Sequence, residues 1–163
     1  MMPASVLQVK PTVLVVDDEE DLRDLAEIIL IEFGCAVLKA ASGEDALRIL
    51  EGDFLRIDLL FSDVMMPGMS GFGLAKRAQE VRPGLRVLLT SAYVDPQLAA
   101  AMSDGYWRIL PKPYRAAQLI AAIRAEFEQA ALRATQAGMP SGEAATSPEA
   151  LENRIIPQVR SGR

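Results

Sequence analysis

Thr12-Val-Leu-Val-Val-Asp-Asp18 is a short apolar run, rich in β-branched residues, that ends abruptly in two carboxylates. An uninterrupted run of this kind is typical of a strand buried on both faces of a sheet. Apolar residues then recur at helical spacing over residues 22–33, and Gly34 ends that predicted helix. The chain therefore opens with a strand–helix unit whose strand ends at Asp17 and Asp18.

The alternation of strand and helix continues through most of the chain. Further strands are predicted at residues 35–39, 58–62, 85–89 and 107–110, and further helices begin near residues 42, 71, 95 and 115. Strands that alternate with helices imply a parallel sheet, covered on both faces and joined by right-handed crossovers. We therefore expect an α/β fold, a doubly wound (βα)5 arrangement around a five-stranded parallel sheet.

This pattern divides the chain into three segments. Residues 1–10 form an N-terminal extension, and residues 11–134 form the folded domain. Residues 135–163 change character, because glycine, proline and serine become frequent and apolar residues become sparse. We expect this tail to be disordered, and a segment docked on the domain is the alternative.

The composition excludes several kinds of chemistry. The 163 residues contain no histidine and one cysteine, Cys35, so histidine catalysis, phosphohistidine, thiolate clusters and internal disulfides are excluded within this chain. The net charge of −5 argues against a general nucleic-acid binder. No signal peptide and no apolar run of the ~20 residues that a membrane helix needs is evident, which predicts a cytoplasmic protein.

Polar side chains stand at the carboxyl ends of four predicted strands, and in a parallel sheet those ends lie along one edge, where ligands bind. The residues concerned are Asp17, Asp18, Asp63, Thr90, Ser91 and Lys112. Three neighbouring carboxylates repel one another, and one lysine cannot balance them, so a hard divalent cation such as Mg²⁺ is expected among them. With a phosphoryl oxygen bound to that cation, Asp63 could attack phosphorus in line.

Taken singly, each of these residues has an ordinary structural explanation. The acidic run that starts at Asp17 could belong to a helix start, where carboxylates favour the positive end of the dipole. Asp63 alone could be a loop cap, and Lys112 alone a solvated lysine. The interpretation as a site depends on their joint position at strand ends.

Four pieces of the chain resemble the receiver domain of bacterial two-component response regulators. The pieces are Val15-Val-Asp-Asp-Glu19, Asp63-Val-Met-Met-Pro-Gly-Met-Ser-Gly71, Leu88-Leu-Thr-Ser-Ala-Tyr93 and Leu110-Pro-Lys-Pro113. They occur in family order across about residues 10–130. The resemblance implies the flavodoxin-like receiver fold.

The resemblance also implies a phosphoacceptor and its metal ligands. Asp63 would accept the phosphoryl group and would bind Mg²⁺, or Mn²⁺ in its place. Asp18 would bind the metal directly, the backbone carbonyl of Met65 would be a further ligand, and Asp17 would assist through water. Lys112 would pair with Asp63 and later with the phosphoryl group.

Three further expectations follow from the same resemblance. The Lys112–Pro113 bond would be cis. Ser91 would be the switch hydroxyl that binds a phosphoryl oxygen, and Thr90 is the less favoured alternative. Ile109 occupies the position where the family often has an aromatic switch residue, so the aromatic readout is in doubt.

The function implied is that of a signalling switch and not of an enzyme. A sensor histidine kinase or a histidine phosphotransfer protein would donate the phosphoryl group, and a downstream protein target would bind the altered surface. A homodimer through the fourth helix, fifth strand and fifth helix is a further candidate, with no direct contact to nucleic acid or membrane. An enzyme on the same fold, such as a phosphatase or a flavin binder, is disfavoured because the chain has no glycine-rich phosphate loop. A DNA-binding regulator is disfavoured because the tail is too short and irregular for a helix-turn-helix domain.

Overall fold

A computed structural model of the chain describes residues 9–53, 55–94 and 107–136. Its strands are β1 (Thr12–Val16), β2 (Ala36–Ala40), β3 (Leu59–Asp63), β4 (Arg86–Ser91) and β5 (Arg108–Pro111). Its helices are α1 (Glu20–Phe33), α2 (Gly43–Glu51), α3 (Gly71–Val81) and, last in the chain, α4 (Ala116–Gln136). The predicted helix over residues 95–105 lies outside the described residues, as do residues 1–8 and 137–163.

The five strands form one parallel sheet in the order β2-β1-β3-β4-β5. This order confirms the predicted doubly wound α/β fold, because the chain runs outward from β1 in one direction and then returns across it to β3. Asp63 is the last residue of the central strand, β3, whose five residues are all buried. Asp63 therefore lies at the centre of the sheet's carboxyl edge.

The sheet separates two apolar cores. One core packs α2 and α3 against one face, and the other packs α1 and α4 against the opposite face. Leu60 and Leu89 belong to the first core, while Leu59 and Leu88 belong to the second, so adjacent strand residues alternate between the two. Because both faces are covered, the strands read as continuous apolar runs.

Local signals in the sequence account for the helix ends. Ser42 accepts a hydrogen bond from the Asp45 backbone N–H through its side chain (3.1 Å), which begins α2. Ser70 accepts one from the Gly73 N–H in the same way, which begins α3. Gly34 ends α1 with φ of 106°, a left-handed conformation that residues with a Cβ adopt rarely.

The strand β4 runs further towards the site than its apolar run predicted. The third strand was predicted as an apolar run over residues 58–62 that ends at Asp63, and β3 does end there; β4, predicted over residues 85–89, also includes Thr90 and Ser91. The reason is the hydrogen-bond ladder, which continues through the pairs Asp63–Thr90 and Ser91–Pro111. The polar residues are therefore held by the regular sheet and not by loops alone.

In the part of the chain that the structure describes, no helix combines the length and the apolar character needed to cross a membrane. The helix α4 extends to Gln136, two residues beyond the boundary of 134 drawn from the sequence. The rest of the predicted tail lies outside the described residues.

Candidate functional site

Lys112 stands between two carboxylates that come from distant parts of the chain. Its Nζ donates to Asp17 Oδ2 at 2.9 Å and to Asp63 Oδ2 at 3.0 Å. Both carboxylates are buried, each residue having 5% of its surface exposed. Three strand ends, those of β1, β3 and β5, therefore meet in one ion-pair cluster.

Asp18 completes an acidic trio with Asp17 and Asp63. One carboxylate oxygen from each of the three residues lies within 4.8 Å of the other two. Asp18 is exposed, whereas the other two are buried, so the trio has a solvent-facing side. Three carboxylates against one ammonium group leave an excess of two negative charges, which matches a divalent cation.

The backbone fixes the two buried carboxylates. Asp17 accepts a hydrogen bond from the Glu19 N–H at Oδ1 (3.0 Å), and its own N–H donates to the Ala40 carbonyl of β2 (3.3 Å). Asp63 accepts one from the Met65 N–H at Oδ1 (3.2 Å). In both residues one carboxylate oxygen is held by backbone while the other contacts Lys112, so neither side chain can rotate freely.

Burial and charge act in opposite directions on these groups. Burial raises the pKa of Asp63 above its ordinary value, and the hydrogen bond with Lys112 only partly offsets this effect. Burial disfavours the charged form of Lys112, but the hydrogen bonds that it donates to Asp17 and Asp63, together with their negative charge, outweigh burial, and its pKa is raised. Lys112 therefore stays charged at neutral pH and is the fixed positive charge of the site.

The two candidate switch hydroxyls differ in their contacts. Thr90 donates through Oγ1 to the Leu110 carbonyl of β5 at 2.8 Å, so its hydroxyl is used within the sheet. Ser91 lies one residue nearer the rim, and its Oγ donates to the Tyr93 carbonyl (3.0 Å) and accepts from the Tyr93 N–H (3.3 Å). Only the bonds of Ser91 are confined to a loop, so its hydroxyl can be released without breaking the sheet.

Met65 and Pro113 occupy the loops on either side of the cluster. The side chain of Met65 is 63% exposed, and its backbone is tied to Asp63 by the hydrogen bond described above. The Lys112–Pro113 bond is cis. The Lys112 N–H donates to the Ser91 carbonyl at 2.8 Å, which joins the loop after β5 to the end of β4.

Ile109 is buried in the core together with Trp107. The Trp107 ring packs on Phe72 with centroids 6.0 Å apart, and its Nε1 lies 3.4 Å from Gln79 Oε1. Trp107, two positions before Ile109, therefore places its aromatic ring in the core beside α3.

The sequence analysis assigned no role at the site to three residues that lie near the cluster. Arg23 donates through NH1 to the Asp17 carbonyl at 2.7 Å, and Tyr114 packs edge-on against Phe61, with its pKa raised by burial. Gly71 matters because an added Cβ would lie 2.2 Å from the Asp63 carbonyl oxygen. Gly71 alone had a usable signal, since it directly follows the N-cap serine of α3, at the end of the loop that Asp63 begins.

Comparisons with known proteins agree with this geometry. The family profile described as the response regulator receiver domain matches residues 13–124. The chain is 33% identical over 120 residues to the C4-dicarboxylate transport transcriptional regulatory protein DctD of Rhizobium meliloti. The alignment covers 73% of this chain and 26% of that protein. It is 32% identical over 127 residues to the sensor kinase CckA of Brucella abortus, which covers 77% of this chain and 13% of that protein.

A solved structure shares the fold. The crystal structure of a response regulator receiver domain protein from Clostridium thermocellum superposes with a TM-score of 0.65 at 28% identity, covering 76% of this chain and 98% of that one. The chain spans about a quarter or less of the two curated relatives named above, so the similarity concerns one domain of each. With the profile covering most of its length, the chain belongs to the response regulator receiver domain family of two-component systems.

Proposed function

We propose that this chain is a phosphorylation-controlled switch in which Asp63 accepts a phosphoryl group from a phosphohistidine on a partner protein. The observation that carries this proposal is the buried Asp63 carboxylate, paired with Lys112 and lying beside Asp17 and Asp18. In the transfer, an Oδ of Asp63 forms a bond to phosphorus while the P–N bond to the partner's imidazole breaks. The electron pair of that bond returns to the imidazole nitrogen.

The donor set fits a hard divalent cation. Mg²⁺ prefers oxygen ligands, and in proteins it is bound through one or two carboxylates with several waters. Asp18, Asp63 and the Met65 carbonyl would hold Mg²⁺ or Mn²⁺, with Asp17 acting through water. When bound, such an ion neutralises charge on the phosphoryl oxygens.

Lys112 has a separate role at the same group. It contacts Asp63 Oδ2 at 3.0 Å, so its ammonium group lies near the oxygens of any phosphoryl group that Asp63 accepts. Its contact with Asp17 at 2.9 Å keeps it in place while Asp63 changes charge. Lys112 would therefore stabilise the negative charge of the phosphoryl group both during and after transfer.

The readout we propose runs through Ser91. Among the residues that the structure describes, its hydroxyl bonds to Tyr93 in the loop after β4, so it could exchange that bond for one to a phosphoryl oxygen. The loop after β4 would move with it, whereas Thr90 stays bound to β5. Ile109 gives no aromatic side chain to follow this movement, so the loop itself would carry the signal.

The remaining parts of the proposal concern the partners. The phosphoryl donor would be a sensor histidine kinase or a histidine phosphotransfer protein, and a downstream protein would recognise the changed surface. The chain would act in the cytoplasm as a switch without turnover of its own, beyond slow self-phosphorylation and self-dephosphorylation. A homodimer through β5, α4 and the predicted helix over residues 95–105 remains a prediction.

The test is labelling by acetyl phosphate with Mg²⁺, followed by intact-mass measurement. We expect the wild-type chain to gain one phosphoryl group, and Asp63→Asn to gain none while keeping its circular dichroism spectrum. Asp24→Asn is the matched control, because Asp24 is a surface carboxylate of α1 that is paired with Lys39 of β2 and is not part of the cluster. Full labelling of Asp63→Asn, at the level of Asp24→Asn, would refute the assignment.

A further inference from the structure

A cavity of about 660 Å³ opens at the amino-terminal edge of the sheet, beneath the starts of β4 and β5 and beside α3 and α4. Arg86 begins β4 and contributes to this cavity, whereas Ser91 ends the same strand at the acidic rim. A six-residue strand is roughly 17 Å long, so the cavity and the acidic cluster are separate sites. Its volume lies in the range of sites that bind small molecules.

The charge of the cavity is opposite to the charge of the chain. The whole sequence has a net charge of −5. The cavity wall nevertheless contains three guanidinium groups, those of Arg86, Arg108 and Arg133, against the single carboxylate of Glu126. Because Glu126 is paired with Arg108 at 3.1 Å, Arg86 and Arg133 remain as a local excess of two positive charges.

The guanidinium group of Arg86 is held in place by its neighbours, but one of its hydrogen-bond donors has no acceptor. Its guanidinium carbon lies 5.1 Å from the centre of the Phe127 ring, and its NH1 donates to the Asp58 backbone carbonyl at 3.4 Å. Its Nε is buried and has no hydrogen-bond partner among the described residues. A buried donor without an acceptor costs free energy, and this nitrogen is too buried for a molecule in the cavity to reach it as the structure stands.

No nearby carboxylate supplies the missing acceptor. Asp58, whose backbone carbonyl accepts from Arg86, uses its two carboxylate oxygens for the Thr12 N–H (2.9 Å) and for Arg56 (2.9 Å). Arg86 contacts only the backbone of that residue. The Asp58 carboxylate therefore forms no ion pair with Arg86 in the structure.

The rest of the wall is apolar or weakly polar. Leu85, Val87 and Ala130 line it with aliphatic side chains, and Trp107 is its one aromatic lining residue among those that the structure describes. A guanidinium group recognises the planar array of oxygens on a phosphate or a carboxylate. The wall thus combines an anion-binding side with a hydrophobic side.

We propose that this cavity binds a small organic anion, with a phosphate or carboxylate group at Arg86 and Arg133 and an apolar body against Trp107. The proposal concerns the edge of the sheet opposite to Asp63 and does not depend on phosphorylation of that residue. Carboxylate and phosphate share the same guanidinium chemistry, and they are separated by experiment.

Trp107 is the single tryptophan of the chain, so its fluorescence reports on this cavity. The full chain is titrated in EDTA with phenyl phosphate, benzoate, inorganic phosphate and benzyl alcohol, with excitation at the red edge of indole absorption. We expect a saturable change with phenyl phosphate or benzoate, half-complete at about 1 mM or below. The stronger of the two identifies the anionic group. Inorganic phosphate is expected to bind more weakly, and benzyl alcohol is expected to give no saturable change.

Variants separate the site from unspecific effects. Arg133 is exposed, so Arg133→Gln should fold normally and should raise the half-saturation concentration about tenfold. Arg86→Gln should weaken binding at least as much, although it also loses the contact with Phe127. The matched control is Arg124→Gln, because Arg124 lies over Phe33 at 5.5 Å without reaching the cavity.

The outcomes decide the proposal. Asp63→Asn is expected to bind phenyl phosphate as the wild type does, so failure of the phosphoacceptor assignment would leave this result unchanged. Equal half-saturation for Arg133→Gln and Arg124→Gln would overturn the proposal. A benzyl alcohol signal as large as that of phenyl phosphate, or no saturable signal with any anion, would overturn it too.

Discussion

Replacing Gly71 with alanine would press a methyl group against the backbone that carries Asp63. The added Cβ would lie 2.2 Å from the Asp63 carbonyl oxygen and 2.8 Å from the Val64 Cα. Both atoms are backbone, so no side-chain rotation can relieve the contact. The Gly71 N–H also donates to the Val64 carbonyl at 2.9 Å, and this bond would be strained by any separation of the two segments.

The expected cost follows from these distances. An acceptable contact requires a displacement of about 1 Å, and overpacking of this kind lowers the free energy of unfolding by about 1–3 kcal/mol. The higher helix propensity of alanine recovers at most about 1 kcal/mol of that loss. The displaced peptide belongs to the phosphoacceptor, and a misplacement of about 1 Å at a reacting group can slow a reaction by about 100-fold. We therefore expect a modest loss of stability and a large loss of labelling rate.

The assay pairs urea unfolding with the rate of labelling by acetyl phosphate and Mg²⁺. Gly52→Ala is the control, because Gly52 has φ of −74° and its nearest neighbour to an added Cβ is 3.4 Å away. Gly52→Ala should be labelled at the wild-type rate. The reasoning fails if Gly71→Ala is both as stable as the wild type and labelled as fast.

Three more predictions concern separate parts of the molecule. Arg82 donates three hydrogen bonds to backbone carbonyls at the end of α2 and in the loop after it. Urea unfolding should therefore show that Arg82→Ala lowers the free energy of unfolding by about 1–3 kcal/mol, and that Arg82→Lys recovers only part of this loss. Lys112→Ala leaves the buried carboxylates of Asp17 and Asp63 without the cation that they share. The free energy of unfolding should therefore fall by about 2–4 kcal/mol in the absence of divalent ions, and Mg²⁺ should restore part of this loss. An unchanged free energy of unfolding would contradict the pairing. Burial raises the pKa of the Cys35 thiol above its ordinary value of 9.0, so the folded state keeps its proton where the unfolded state loses it, and stability falls as the pH rises above about 9. Ellman's reagent should therefore react slowly with folded protein at pH 8 and at full speed in urea, and rapid reaction in both would contradict the burial.

The framework of the fold was accessible from the sequence because the strands are buried on both faces. Residues 59–61 of β3 are an apolar run, and all five residues of the strand are buried, as in a strand covered on both faces. The parallel order then requires every strand to end at the same edge. From this single rule the meeting of Lys112 with Asp17 and Asp63 could be predicted, although the residues are up to 95 positions apart.

Finer details depended on contacts that a pattern does not contain. Thr90 and Ser91 are both hydroxyl residues at one strand end, and their different roles in the sheet appear only once Thr90 is seen to bond to Leu110. The basic cavity was not predicted at all. Its arginines belong to two strands and to the last helix, and only the packing of α4 against the start of β4 brings Arg86 and Arg133 together.

The position of the phosphoryl group is the most direct test of the account. The wild-type chain is labelled with acetyl phosphate and Mg²⁺ and then reduced with borohydride, which converts an acyl phosphate on aspartate to homoserine. Peptide sequencing by mass spectrometry should find homoserine at position 63 and nowhere else. Homoserine at position 17 or 18, or a phosphate that survives reduction as an ester on Thr90 or Ser91, would contradict it.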